Sequence, residues 1–539
     1  MRTTDVLVIG GGIAGTVAAI EAALNGAHVT IACAGRMFGG SSFYPGTWGL
    51  GLIGPIDDAD TEDLIATIEQ VGCGVADHKL VETLVHGIAP GMKWMEHELD
   101  MELVRPASNE HARQREFIPC FDHKNRLWRG ITRPSFVTTA RRKLHELGIE
   151  VQERLELMQL VQTRTGDCVE GALLYGRKEQ RFTFILAQST ILATGGTGGL
   201  FERSLTSQDV LSSTHGIALK AGCELINIEF MQMMPGLVSP KRGLVFNEKS
   251  FRYANMDDKK GMLPADRNSL RELLETRACH GPFTSRLGDE CVDLAIDAAG
   301  PTGLAIRYDF PKNDIPEFVQ TFSSWLENEH GISPHDELRI AMYAHASNGG
   351  IRIDASAWTG LRGLYACGEA TGGMHGADRL GGLSSANGIV FGRIAGTSAA
   401  THAQKNPCRT CGHIEADFSG AEWEDGGRFA RHLLSLQNNP IPIATEQAKA
   451  MTRELQKTMS THCMVQRTQA GLETALKTID DLQARIGRQQ GDWEIGVLPS
   501  EMLANGVRLT SQINLARQMA LAMLNRTESL GSHYRADMN

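Results

Sequence analysis

The sequence predicts an α/β protein built on a Rossmann-like sheet at residues 1–230 and 346–405, with an α+β insertion at 231–345 and a C-terminal helical bundle at 406–539. Three observations predict it. An apolar strand at 6–9 runs into Gly10-x-Gly12-x-x-Gly15 and then a helix at 13–24, the context in which a dinucleotide pyrophosphate sits on a helix N-terminus. Far along the chain, GLRGLYACGEATGGMHGADRLGGLSSANGIVFGRIAG at 360–396 supplies a second short buried strand, a glycine turn and a helix starting near Ser384. After residue 408 the pattern becomes helical, with Leu472, Ala475, Leu476, Ile479, Leu482 and Ile486 on one face.

The elements follow in order. A strand at 28–32 succeeds the first helix, then a Gly/Ser-rich loop at 39–54, helices around 60–100, and strands near 149–162 and 168–174. ILATGG at 191–196 closes this part, a mainly parallel sheet with an antiparallel insertion. The first glycine loop alone suits NAD or FAD. The late segment favours FAD, because its glycines and helix start would aim backbone N–H groups and a positive dipole end at an electron-rich ring system.

Composition narrows the function. The chain has 539 residues, 42% hydrophobic and 22% charged, with a net charge of -10 spread without a basic stripe. That excludes nucleic acid and an anionic membrane surface as partners. No apolar run approaches the roughly 18 residues of a membrane span and no signal peptide is visible, so a cytoplasmic, bacterial protein is expected. The eleven cysteines are read as reduced. Cys408 and Cys411 form a CxxC pair, but no second pair follows, and an interdomain loop rather than a metal site is expected.

The order of motifs resembles one family across nearly the whole chain: the flavoprotein subunits of succinate dehydrogenase and fumarate reductase, with L-aspartate oxidase. The resemblance rests on GGGIAG at 10–15, GSSFYPG at 40–46, ATGG at 193–196, HGIALKAG at 215–222, IEFMQMMP at 228–235, AHASNGGIRID at 344–354, LYACGEATGGMHGADRLGG at 364–382 and RTESLGSHYRAD at 526–537. It implies a Rossmann-like FAD-binding domain, a mobile capping domain over the flavin and a C-terminal helical domain. FAD would be held by Gly10, Gly12, Ala14, Gly15, Gly40, Ser41, Ser42, Gly46, Ala193, Thr194, Gly195, Gly368, Glu369, Ser384 and Ser385. His345 and Arg379 match the family's carboxylate-binding histidine and arginine; a planar guanidinium grips a carboxylate bidentately. The proton-shuttling arginine of the cap aligns with Arg277, and Arg286 is the alternative counterpart.

The chain departs from that family at several points. Met234 replaces a second substrate-binding histidine, and the Thr-Glu pair that completes this second site finds no counterpart in SPKRGLVFNEKS. A C4 dicarboxylate would then lose charged bonds worth roughly 1.5–3 kcal/mol each. Lys241 and Arg242 either replace that charge or form an exposed turn. Trp48 stands beside the expected flavin position and either stacks on a ligand or joins the core. No histidine occupies the loop near Ser41 and Ser42 where respiratory members attach FAD, so non-covalent FAD is expected. His215 replaces an aspartate, and Cys33 ends the second strand where many dinucleotide folds carry an acid.

The expected function is a soluble FAD-dependent oxidoreductase acting on the C–C bond beside a carboxylate, on a small-molecule acid other than a standard C4 dicarboxylate. The alternatives are L-aspartate oxidase, the flavoprotein subunit of an electron-transfer complex, and a non-catalytic FAD-binding module. No second nucleotide loop is present for NAD(P)H. Oxygen, a partner protein or a reduced flavin therefore stands as electron partner.

Overall fold

A computed structural model describes residues 2–47, 49–107, 119–163, 165–310, 315–406, 441–488 and 499–538. Trp48, Cys408 and Cys411 lie outside the described residues.

The first layer is a seven-stranded sheet. Its parallel part runs Glu150–Glu153, Val29–Cys33, Arg2–Ile9 and Arg181–Leu192. Val6, Leu7, Val8, Ile31 and Ile191 are essentially inaccessible, as expected of strands covered on both faces. Arg181–Leu192 is long enough to serve two neighbours. Its first half pairs antiparallel with Val169–Gly176, and its last residues pair parallel with Leu364–Ala366, which brings the late motif back into the first sheet. Leu155–Gln162 completes the antiparallel side.

Two helices pack closely at the strand ends. Ile13–Leu24 lies against Leu383–Lys405, and methyl groups at Gly392 or Gly396 would press on the carbonyls of Ala14 or Ala18. The approach requires glycine, because no side chain fits between these two backbones.

A four-stranded antiparallel sheet forms the inserted region: Met231–Ser239, Leu338–Ser347, Leu304–Tyr308 and Ala254–Met256 in spatial order. Helices Arg267–Arg277, Glu290–Ala298 and Glu317–His330 accompany it. The C-terminal helices Thr445–His462, Gln469–Gly487 and Ser500–Asn525 follow. In Gln469–Gly487, Leu472, Ala475, Ile479, Leu482 and Ile486 are buried along one face, as the periodicity predicts, while Leu476 is partly buried. These helices share one continuous apolar core with the inserted sheet: Met451, Leu455, Ile479 and Met519 join Leu304, Ile340 and Met342.

Candidate active site

The glycine turns, the inserted sheet and the late loop enclose one cavity of about 1080 Å³. Its dinucleotide end is built from the turn after Arg2–Ile9. Gly10 has φ of 121°, and a methyl group there would overlap the Ala193 carbonyl, so this turn accepts only glycine. A methyl group on Gly12 or Gly40 would meet nothing closer than 3.9 Å, which leaves backbone room for a pyrophosphate. The Thr194 hydroxyl is enclosed in the same wall without a hydrogen-bond partner, a donor suited to a ligand oxygen. The residues present thus fit FAD.

Gly10, Gly12, Ala14, Gly40, Ser41, Ser42, Ala193, Thr194, Gly195, Gly368, Glu369, Ser384 and Ser385 all line the cavity. Gly15 and Gly46 stand behind the surface. A side chain on Gly15 would overlap the Gly10 carbonyl, and Gly46 accepts the Val245 N–H at 2.8 Å. Glu369 also has a structural role, since its carboxylate accepts the Ser347 N–H at 3.0 Å, and burial raises its pKa. Sequence reasoning missed two supports of the cradle. Asp209 accepts the Gly40 N–H at 3.2 Å, and Arg133 donates to the Ser42 carbonyl at 3.1 Å and the Thr47 carbonyl at 2.9 Å. Neither lies in a recognisable motif.

The other end of the cavity is cationic. Arg379 follows the buried turn at 375–378 and its Nη2 donates to Gln232 Oε1 at 2.8 Å. Gln232 is fully buried on Met231–Ser239, so a residue of the inserted sheet aims the guanidinium. His345 lies on the neighbouring strand Leu338–Ser347 and lines the same cavity. Its Nδ1 is enclosed without a partner; burial and the Arg379 charge push its pKa down to about 3, so the ring is neutral near pH 7. An arginine and a neutral imidazole donor in one enclosed space can hold a single carboxylate.

Met234 also lines the cavity, packed with Leu205, Val245, Ala341 and Tyr343. Lys241 and Arg242 form the exposed turn, with Lys241 Nζ 3.0 Å from His330 Nδ1, and neither lines the cavity. Glu248 and Lys249 do line it, both nearly inaccessible to solvent. SPKRGLVFNEKS, expected to hold no counterpart of the Thr-Glu pair, thus brings one acid, Glu248, to the cavity wall. The signal is readable as Asn247-Glu248 at the far end of that stretch.

Neither arginine considered for proton transfer reaches the cavity wall. Arg277 is fully buried; its Nε faces Asp293 at 2.8 Å, its Nη1 and Nη2 donate to the carbonyls of His280 and Gly281, and its guanidinium lies over Phe251. Arg286 Nε pairs with Asp378 at 2.8 Å and its guanidinium covers Phe121. Asp378 accepts Thr284 as well, so the loop at 284–286 is pinned to the residue before Arg379.

A dinucleotide cradle that opens into a cationic pocket, under a sheet supplied by another part of the chain, defines a flavin-dependent oxidoreductase. The FAD binding domain family matches residues 5–385, and the fumarate reductase flavoprotein C-terminal family matches 452–539. The chain belongs to the FAD-dependent flavoprotein family of fumarate reductase, succinate dehydrogenase and L-aspartate oxidase. A fumarate reductase (CoM/CoB) subunit of Methanothermobacter marburgensis is 27% identical over 563 aligned positions, covering 99% of this chain and 94% of that one. L-aspartate oxidase of Mycobacterium bovis is 29% identical over 560 positions, covering 99% and 92%. The Mycobacterium smegmatis Sdh1 complex in the apo form shares the fold with a TM-score of 0.78 at 24% identity, over 99% of this chain and 89% of that chain. Among the described residues no helix is long and apolar enough to cross a membrane.

Proposed function

We propose that this FAD-dependent oxidoreductase forms or removes a C–C double bond beside a single carboxylate, on an acid whose far end is not a second carboxylate. The observation that carries the reading is the asymmetry of the cavity. Arg379 and His345 supply one clamp, whereas Met234 occupies the wall where the second substrate histidine is expected. A thioether offers an oxyanion no hydrogen-bond donor.

Bound FAD would supply hydride exchange at one substrate carbon. The chain itself performs the rest: Arg379, held by Gln232, orients the carboxylate; His345 donates a hydrogen bond to it; the inserted sheet and the loop at 281–286 exclude water. FAD is proposed to be non-covalent, and acid precipitation should release all of the flavin into the supernatant.

Anaerobic reduction of the flavin followed by mixing with crotonate, cinnamate or fumarate tests the reading. Faster reoxidation by a monocarboxylic enoate than by fumarate is expected. Preference for fumarate would overturn it. The L-aspartate oxidase reading draws support from Glu248, whose carboxylate suits a substrate ammonium. Reduction of the oxidised flavin by L-aspartate, with silence toward the enoates, would select that reading.

A further inference from the structure

We propose that Cys120, backed by Glu248, is the proton donor of this site. The inference rests on the carboxylate-directed reaction proposed above.

Reducing a double bond requires a proton at the carbon beside the one that receives hydride. Arg277 has its polar atoms committed to Asp293 and to backbone carbonyls, and Arg286 to Asp378, both away from the cavity wall. Arg379 and His345 hold the carboxylate. The described cavity wall then offers Cys120, whose Sγ lies 3.3 Å from Glu248 Oε1.

Its placement suits a proton donor. The sulfur lies in a seam between two glycines, Gly281 of the inserted region and Gly381 of the clamp loop; a methyl group on either would approach it to 3.6 Å. Gly381 N–H donates to the Cys120 carbonyl at 3.2 Å, which ties the cysteine to the loop carrying Arg379. The charged groups facing it are Glu248 and Lys249 from the inserted region and Arg379 from the clamp loop. Burial and the Glu248 carboxylate push the thiol up to about 12. It therefore stays protonated through neutral and mildly alkaline pH, as a donor must, and is a poor target for alkylation.

In the reductive direction hydride from the reduced cofactor adds to one alkene carbon, supplying both electrons. The Cys120 S–H bond breaks as its proton forms the C–H bond at the adjacent carbon. Water then protonates the Glu248 carboxylate, leaving as hydroxide, and the resulting carboxyl passes that proton to the thiolate, which restores both groups.

The test uses full-length FAD-loaded protein, reduced anaerobically and mixed with crotonate, cinnamate and fumarate while flavin reoxidation is followed. Cys120→Ala should slow the first reoxidation by about 100-fold or more, while crotonate still perturbs the spectrum of the oxidised flavin as in the wild type. Cys120→Ser, which keeps a proton, should fall between the two. Glu248→Gln should slow steady-state turnover sustained by excess reduced methyl viologen. The wild-type rate should be flat between about pH 6 and pH 9, below the range in which the thiol ionises. Reoxidation of Cys120→Ala at the wild-type rate would overturn the inference and leave the proposed function standing. Loss of the crotonate spectral change in both cysteine variants would also overturn it, by showing that the residue shapes the pocket. A wild type that no enoate reoxidises would overturn the proposed function and this inference together.

Discussion

At the scale of residues, the proposed clamp draws on two enclosed and differently committed side chains. Arg379 is steered by Gln232, while His345 keeps an unpartnered ring nitrogen. Arg379→Ala should lower kcat/KM by about 100-fold or more and leave FAD content unchanged; loss of flavin absorbance in a folded variant would make Arg379 a cofactor ligand instead. Met234→His should tighten dicarboxylate binding, read as a lower dissociation constant in a flavin-perturbation titration with malonate. Unaltered weak binding would show that the surrounding pocket has diverged as well. A third effect concerns stability. His215 is fully inaccessible, and burial pushes it down to about 4. Its folded pKa lies below the unfolded one, so its contribution is intact above about pH 6.5 and is lost as pH falls toward about 4, up to roughly 3 kcal/mol. Thermal unfolding of the wild type should shift down between pH 7 and pH 5, and His215→Asn should show a shallower fall over that interval. These residues are unequally legible. Arg379 and His345 stand in motifs; Gln232, Glu248 and Cys120 act through neighbours distant in sequence, and no local pattern reveals such pairs.

At the scale of elements, turns decide what strands and helices can hold. The first strand, glycine loop and helix appear where the sequence places them, because apolar runs and glycines act over a few residues. The Gly/Ser-rich stretch at 39–54 reads as loop throughout, yet Leu50–Gly54 is a strand paired with Leu127–Ile131. That pairing is tertiary, since the partner lies far along the chain. Gly382 opens the helix Leu383–Lys405 at φ of 84°, and a methyl group there would crowd Ile53 at 2.9 Å on that same strand. Gly382→Ala should therefore tilt the helix start away from the cavity. Weaker FAD retention on gel filtration, with little change in circular dichroism, is the expected outcome.

At the scale of the whole molecule, the C-terminal segment reaches the site from outside. Ser532 donates to the Ala377 carbonyl at 2.8 Å, two residues before Arg379, and Gly531 accepts the Ser285 N–H at 2.9 Å from the loop that covers the cavity. Arg467, fully buried, donates to the Glu229 carbonyl and to His533, so the same tail is bound to the strand region carrying Gln232. Removing residues 527–539 should raise KM more than it lowers kcat and should depress Tm; unchanged steady-state constants would show that the tail carries no part in holding the clamp loop. The apolar core shared by the inserted sheet and the C-terminal helices would carry the effect of such a truncation to the site. A sequence divided into successive domains does not show that core, because its two halves are separated by the return of the chain to the first sheet.

The chain's local patterns suffice for the α/β class and the FAD cradle, and they point to the proposed carboxylate clamp and to the missing second histidine. Each is written in short motifs whose physics is local: glycines where φ must be positive, periodic apolar faces, an arginine in a glycine-bounded loop. The folded chain alone reveals that Arg277 and Arg286 pair with buried carboxylates, that Glu248 and Cys120 meet on the cavity wall, and that the C-terminal tail is hydrogen-bonded to the loop before Arg379. Hydrogen-bond partners in an enclosed pocket are set by which surfaces the fold brings together, and burial then fixes which protons those groups keep.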